Sequence, residues 1–442
     1  MPPFDLLFWR EMATNQLEFF LVLVVTAIAL KPWRCLCLAQ QESLLVGMTL
    51  LPNATLTGAM CLDGSPPAYH LNKGFGAGAN NWLLQVEGGG WCNTVRSCRD
   101  RATTRRGSTR YMSRFKVFSG ILSDDPLMNP DFYNWNRVKL RYCDGGSFAG
   151  DSEFQTLNKT IYLRGQKIWT AIIDDLLNKG LNHAAKVLLS GCSAGGLAVF
   201  HHCDQLAQLL PEAKSVKCLS DAGFFVDLTD ISGSNTIRPF FGSLVSLQGI
   251  AKFLNEKCVA SYEDPLTCFF PQYAIRYISS PFFILNPAYD MYQFTHCFVP
   301  PSSDPSGQWS KCKLNQDECS ATQIEVLQGL RNQTLKALEP FNLSTGGRFI
   351  NSCLAHCQSE LQDSWFAPDS PRLGNRTIAE AVGDWYFERK IVSETDCPYP
   401  CDSTCRNLPS KNQDQGSNNS INIPGSFGTV YFLITVLLVI II

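Results

Sequence analysis

Charge is scarce in this 442-residue sequence and evenly split: 17% of residues are charged, with 37 Lys and Arg against 39 Asp and Glu. A net charge of -2 leaves no global field to draw the chain onto nucleic acid or anionic lipid, so recognition of a charged partner must be local. No glycine-rich phosphate loop, dinucleotide fingerprint or zinc-ligand set is present, and we expect neither a cofactor nor a metal. Linkers, repeats and long charge blocks are also missing between the two ends, so one domain over 40–410 is the economical reading. Histidine is rare, at six residues, which shortens any search for a catalytic base.

Cysteine, by contrast, is abundant: 19 are scattered rather than grouped in metal-like pairs, which points to an oxidising compartment and a disulfide framework. Both ends agree. The uncharged run 19–30 has signal-peptide length, and Cys37-Leu38-Ala39 places small residues for a cut after Ala39; an uncleaved signal anchor is the alternative. At the other end, small residues at 416–420 and a polar spacer over 411–426 precede an apolar tail, 427–442, in the layout of a glycolipid-anchor signal or a membrane anchor. Six Asn-x-Ser/Thr sequons, at Asn53, Asn158, Asn332, Asn342, Asn375 and Asn418, fit a secreted, extracellular chain.

Between the ends, short apolar runs that stop in Gly, Asp or Ser alternate with helical patterns. Strands are predicted at 82–87, 138–142, 187–190, 216–220, 282–286 and 348–351, and helices at 168–177, 197–210 and 324–341. This is the signature of an α/β, mostly parallel sheet with helices on both faces, whose chemistry sits at the carboxyl ends of its strands.

At one such end lies Gly191-Cys192-Ser193-Ala194-Gly195, a Gly-x-Ser-x-Gly match between an apolar strand and a helix. The flanking glycines permit the sharp turn that exposes a nucleophile. A serine needs a base, and the base needs an orienting carboxylate. His70 and His183 precede Ser193, and His201 and His202 lie on the helix that the turn opens. Of the remaining two, His356 occupies a loop after the last strand, whereas His296 follows Asp290 with no strand between, so His356 is favoured. Asp290 ends the strand before the histidine and is the favoured acid; Asp221 is the second candidate. Gly90, Trp91 and Ala194 are assigned to the oxyanion hole, the glycine run 88–90 letting amides point inward.

Glu87-Gly88-Gly89-Gly90-Trp91-Cys92, Ser190-Gly191-Cys192-Ser193-Ala194-Gly195-Gly196, Asn286-Pro287-Ala288-Tyr289-Asp290 and Asn351-Ser352-Cys353-Leu354-Ala355-His356-Cys357-Gln358 together resemble the plant pectin acetylesterases, relatives of the Notum carboxylesterases. The resemblance implies an α/β-hydrolase-like fold, a Ser193, Asp290, His356 triad, and hydrolysis of acetyl esters on pectin in the cell wall by a monomer. The alternatives are a Notum-like removal of a lipid acyl group from a protein, or an inactive cell-surface glycan-binding protein.

Three further features bear on function. The stretch 96–116 holds eight Lys and Arg against a lone Asp100, and its Arg105 and Arg106 are candidates for holding a polyuronate. Trp91 offers a face for a sugar ring or a wall for a lipid pocket. After signal cleavage 17 cysteines remain, an odd number; Cys92 with Cys98 is expected as a local pair, Cys397, Cys401 and Cys405 are expected in disulfides, and Cys192 is a candidate for the unpaired thiol.

Overall fold

Runs of branched and aromatic residues that end in turn chemistry become the strands of one large sheet. The computed structural model describes residues 44–156 and 159–407. The expected leader at 1–39, the spacer and tail beyond 410 and the sequons Asn158 and Asn418 lie outside the described residues. Ten strands make up the sheet: β1 (Leu44–Leu50), β2 (Ala68–Asn72), β3 (Asn81–Val86), β4 (Phe115–Phe118), β5 (Asn136–Leu140), β6 (Lys186–Cys192), β7 (Ser215–Asp221), β8 (Phe282–Leu285), β9 (Gly347–Ile350) and β10 (Ser393–Thr395). Their order is β10-β9-β8-β7-β6-β3-β5-β2-β1-β4. From β10 to β5 every pairing is parallel, while β2, β1 and β4 continue the sheet antiparallel.

Six helices matter for the site: α1 (Val95–Arg101), α2 (Gly165–Asn178), α3 (Ala194–Leu209), α4 (Ile237–Gln248), α5 (Ala321–Leu338) and α6 (Ile378–Tyr386). Apolar residues recur in α2 at Ile168, Ile172 and Leu176, one buried stripe at helical spacing. Helices α1, α5 and α6 each start in a capping box, at Thr94, Ser320 and Thr377. Neighbouring strand residues face opposite ways, so Leu84, Val138 and Leu189 pack with α2, α3, α4 and α5, whereas Leu83, Leu188, Phe283 and Phe349 pack with α6. Among the described residues no helix is long and apolar enough to cross a membrane.

Near the site the second face is ionic. Along β5 and at the residue just past it, Arg137, Lys139 and Arg141 alternate with Val138 and Leu140, and all five are buried. Arg141 Nε donates to Glu87 at 2.8 Å and its Nη1 to His70 Nε2 at 3.0 Å, while His70 Nδ1 donates to Val46 O at 2.9 Å. Lys139 pairs with Glu360 and donates to Gln85 at 3.1 Å. Burial alone would push the Glu87 carboxyl up, but Arg141, then Lys139 and Lys116, outweigh it and hold the group below the usual carboxylate range.

The disulfide framework is present: eight bonds join Cys61–Cys143, Cys92–Cys98, Cys192–Cys357, Cys203–Cys218, Cys258–Cys268, Cys312–Cys319, Cys353–Cys405 and Cys397–Cys401. The expected Cys92–Cys98 pair forms, and Cys397, Cys401 and Cys405 are all in disulfides. The unpaired thiol among the described residues is the buried Cys297 and not Cys192. Cys192 is unavailable because the chain returns 165 residues later to pair it, a partnership that local spacing does not reveal. Asn53, Asn332, Asn342 and Asn375 are all exposed.

Candidate active site

The carboxyl ends of β3, β6, β7, β8 and β9 meet at one edge of the sheet, because all five strands run the same way. Ser193 sits between β6 and α3 at φ +59, a conformation that costs a non-glycine residue about 1–3 kcal/mol. Its backbone N–H donates to Asp221 O at 2.9 Å. Both flanking glycines are needed for space: a Cβ on Gly191 would lie 2.3 Å from Gly195 O, and one on Gly195 would lie 2.2 Å from Val86 O. Ala194 opens α3, where a first-turn N–H has no acceptor within its own helix.

The loop after β9 carries His356, buried, with its Nδ1 hydrogen-bonded to Asp290 Oδ2 at 2.6 Å. Asp290 follows β8 and also caps the next helical turn, its Oδ1 accepting from Gln293 N at 2.9 Å. Each carboxylate oxygen thus has a partner, which fixes the group's orientation. Burial would lower the His356 pKa, but the adjacent Asp290 charge and hydrogen bond, with Asp221 and Glu360 further away, raise it above the ordinary histidine value.

Asp221 does different work. Its carboxylate accepts from Gln358 N at 3.1 Å and from Ser359 N and Oγ at 2.6 Å each, so it ties down the loop just past His356. Burial pushes its pKa up to about 6 despite those three donors. The Cys192–Cys357 disulfide joins the residue before Ser193 to the residue after His356, with the two Cα atoms 5.5 Å apart. Sequence reading had no signal for this staple, since nothing local pairs cysteines so far apart.

Against the Ser193 turn runs the loop after β3, and its three glycines answer three separate demands. A Cβ on Gly88 would meet Cys192 O at 2.4 Å, and one on Gly89 would meet the Tyr142 ring at 2.7 Å. Gly90 has φ +64, the left-handed region that favours glycine. Trp91 does not offer an open face for a sugar ring. Its ring is buried edge-on among Phe225 at 4.7 Å, Phe241 at 5.0 Å and Tyr292 at 5.8 Å between centroids, and its Nε1 donates to Ser147 Oγ at 2.7 Å. Half-buried Tyr292, another residue the sequence did not flag, also stacks on His356 at 5.9 Å.

The basic stretch is likewise not a uniform cationic surface. Arg101 turns inward to the 89–91 loop, Arg105 lies 3.9 Å from the buried Glu87, and Lys116 is among the cations acting on that same carboxylate. Buried carbonyls and a buried carboxylate recruit these cations; Arg96, Arg99, Arg110 and Arg114 remain exposed. The Arg106 side chain lies beside Gly89. His296 is exposed on the helical turn after Asp290, its ring 4.6 Å from Tyr292.

Residues 39–406 match the family model described as Pectinacetylesterase. The chain is 50% identical over 366 residues to pectin acetylesterase 5 of Arabidopsis thaliana, covering 82% of this chain and 86% of the relative. Pectin acetylesterase 4 of the same plant is 48% identical over 363 residues, 82% of this chain and 88% of the relative. A more distant relative is the mouse (Mus musculus) palmitoleoyl-protein carboxylesterase NOTUM, 31% identical over 417 residues, 88% of this chain and 76% of the relative.

Proposed function

The chain belongs to the pectinacetylesterase family and is a carboxylic ester hydrolase, and on that premise we propose that it removes acetyl groups from pectin through an acyl-enzyme on Ser193. The observation that carries the reading is the buried 2.6 Å hydrogen bond between His356 Nδ1 and Asp290, on a loop joined by Cys192–Cys357 to the strained turn of Ser193. With Nδ1 occupied, Nε2 is the nitrogen left to exchange a proton. Ser193 Oγ attacks the acetyl carbonyl while its proton passes to His356, whose positive charge Asp290 stabilises. The oxyanion is held by the N–H groups of Ala194 and of Gly90 and Trp91. Collapse breaks the ester bond, and the sugar hydroxyl leaves with the proton from His356. Water then repeats the sequence on the acetyl-serine, releasing acetate and restoring Ser193.

The polyanionic substrate is met by Arg106, whose side chain lies beside Gly89 of the oxyanion loop. Secretion to the cell wall is part of the same reading, supported by the disulfide framework and by the similarity to plant pectin acetylesterases. Ser193→Ala should abolish turnover of an aryl acetate and of acetylated homogalacturonan with melting temperature nearly unchanged; retained turnover refutes the assignment. An acyl-chain series on the wild type should peak at acetyl. A maximum at eight or more carbons, without acetate release from pectin, would instead support the acyl preference named for the mouse relative.

A further inference from the structure

Oxyanion-hole amides do their work only if they are aimed before the charge develops, since donors that must reorient give back most of their stabilisation. Three successive peptide carbonyls in the 89–91 loop are each taken from behind by a side chain. Arg101 Nη1 donates to Gly89 O at 2.7 Å and Nη2 to Trp91 O at 2.9 Å. Between them, Tyr142 Oη donates to Gly90 O at 2.7 Å. A trans peptide unit is planar, with its C=O and the following N–H pointing in opposite directions. Anchoring Gly89 O therefore aims the Gly90 N–H forward, and anchoring Gly90 O aims the Trp91 N–H forward. Among the described residues neither of these N–H groups has an acceptor, whereas Cys92 N, past the loop, donates to Gly145 O at 3.1 Å.

We propose that Arg101 and Tyr142 are positioning residues that hold the Gly90 and Trp91 amides in the orientation the oxyanion needs. The inference rests on the esterase reading above. Both residues are themselves held. Arg101 ends α1, which the Cys92–Cys98 disulfide fastens to the residue following Trp91. Tyr142 is fully buried; its oxygen accepts from Ser147 N at 3.1 Å, and its ring packs over Gly89, where a Cβ would collide with it. Burial, followed by the charge of Asp144, raises the phenol's pKa, so Tyr142 stays a donor. Ser147 and Phe148, at φ +57 and +56, shape the turn that brings the Ser147 N–H and Oγ to Tyr142 and Trp91.

The test is Tyr142→Phe, which keeps the ring against Gly89 and removes both hydrogen bonds, beside Arg101→Lys, which keeps the charge but loses the fork that spans two carbonyls. Turnover of an aryl acetate and the inhibition constant of an aryl boronic acid, which forms a tetrahedral adduct on the serine, are measured for each. Losing one oxyanion donor outright costs about 10²–10³ in kcat, so misaiming one should lower kcat about 10- to 100-fold, with KM within about threefold. Boronate affinity should fall in step, with the pH profile unmoved because His356 and Asp290 are untouched. If Tyr142→Phe does not fold, Arg101→Lys alone decides. Unchanged kcat and boronate affinity in the folded variants overturn the inference. Activity persisting in Ser193→Ala would instead overturn the reading beneath it, so the two failures are distinguishable.

Discussion

Removing the Cys192–Cys357 bond should separate stability from catalysis in one experiment. The bond closes a loop of 165 residues, and the three disulfides nested inside it span only 15, 10 and 7, so they shorten that loop little. Chain entropy for a loop of this length gives about 5 kcal/mol at 25 °C as the upper value. Unfolding entropy of roughly 2.1 cal/mol/K per residue converts this, for a domain of this size, to a fall of about 6 °C in melting temperature. The catalytic effect has a different origin. Ser193 and His356 are the immediate neighbours of the two half-cystines, and a displacement of about 1 Å between reacting groups costs roughly 10² in rate. The Cys192→Ala, Cys357→Ala double variant should therefore melt several degrees lower and, assayed well below that temperature, hydrolyse an aryl acetate about 100-fold more slowly. A lowered melting temperature with kcat within about twofold of wild type would refute the positional argument. Unchanged melting would refute the entropic one.

Asp290→Asn should lower the acylation rate by about 10⁴, whereas Asp221→Asn, which loosens a loop without touching the imidazole, should cost far less; the reverse ranking moves the acid to Asp221. Because Asp290 raises the His356 pKa, the acidic limb of kcat/KM should lie above the ordinary histidine value in wild type and move to lower pH in Asp290→Asn. Acetate release from acetylated homogalacturonan should weaken with added salt and in Arg106→Glu, while aryl acetate turnover stays put; parallel losses on both substrates would remove Arg106 from substrate recognition. Expressed in plant cells, the chain should be released from membranes by a phosphatidylinositol-specific phospholipase and lack residues 427–442 by mass spectrometry, and finding Ile442 in the mature protein refutes the glycolipid anchor.

The centre of the parallel half was legible because most of its strands are apolar runs that must be buried on both faces and must stop in a turn; the short, polar edge strand Ser393–Thr395 carries no such signal. Val187 to Ser190 and Phe282 to Asn286 are of this kind. The antiparallel edge was not. Leu44–Leu50 and Phe115–Phe118 leave Leu45 and Phe115 exposed and follow no clean alternation. Ser193, Asp290 and His356 could be picked out because each follows a recognisable strand. Arg101 and Tyr142 could not, since their role depends on carbonyls 10–12 and 52 residues away. The same limit hid the partner of Cys192, the burial of the Trp91 ring and the inward turn of Arg101: composition locates a thiol, a cation or an aromatic ring, but long-range packing decides which way it turns.

The ion row behind the sheet bears on the medium in which the fold survives. A carboxylate whose folded pKa is depressed adds stability at every pH above its unfolded value, about 4.3 for Glu, and loses that contribution only as pH falls through the folded value. Glu87 therefore still supports the sheet in mildly acidic surroundings. Asp221 has the opposite sign: with its folded pKa raised to about 6, it binds its proton before the unfolded chain would. Acidification from about 6 towards 4 thus favours the fold at that site. Between them, a paired glutamate that refuses a proton and a buried aspartate that accepts one early leave the strand ends under the catalytic loops little to lose on passing from a neutral to a sour environment.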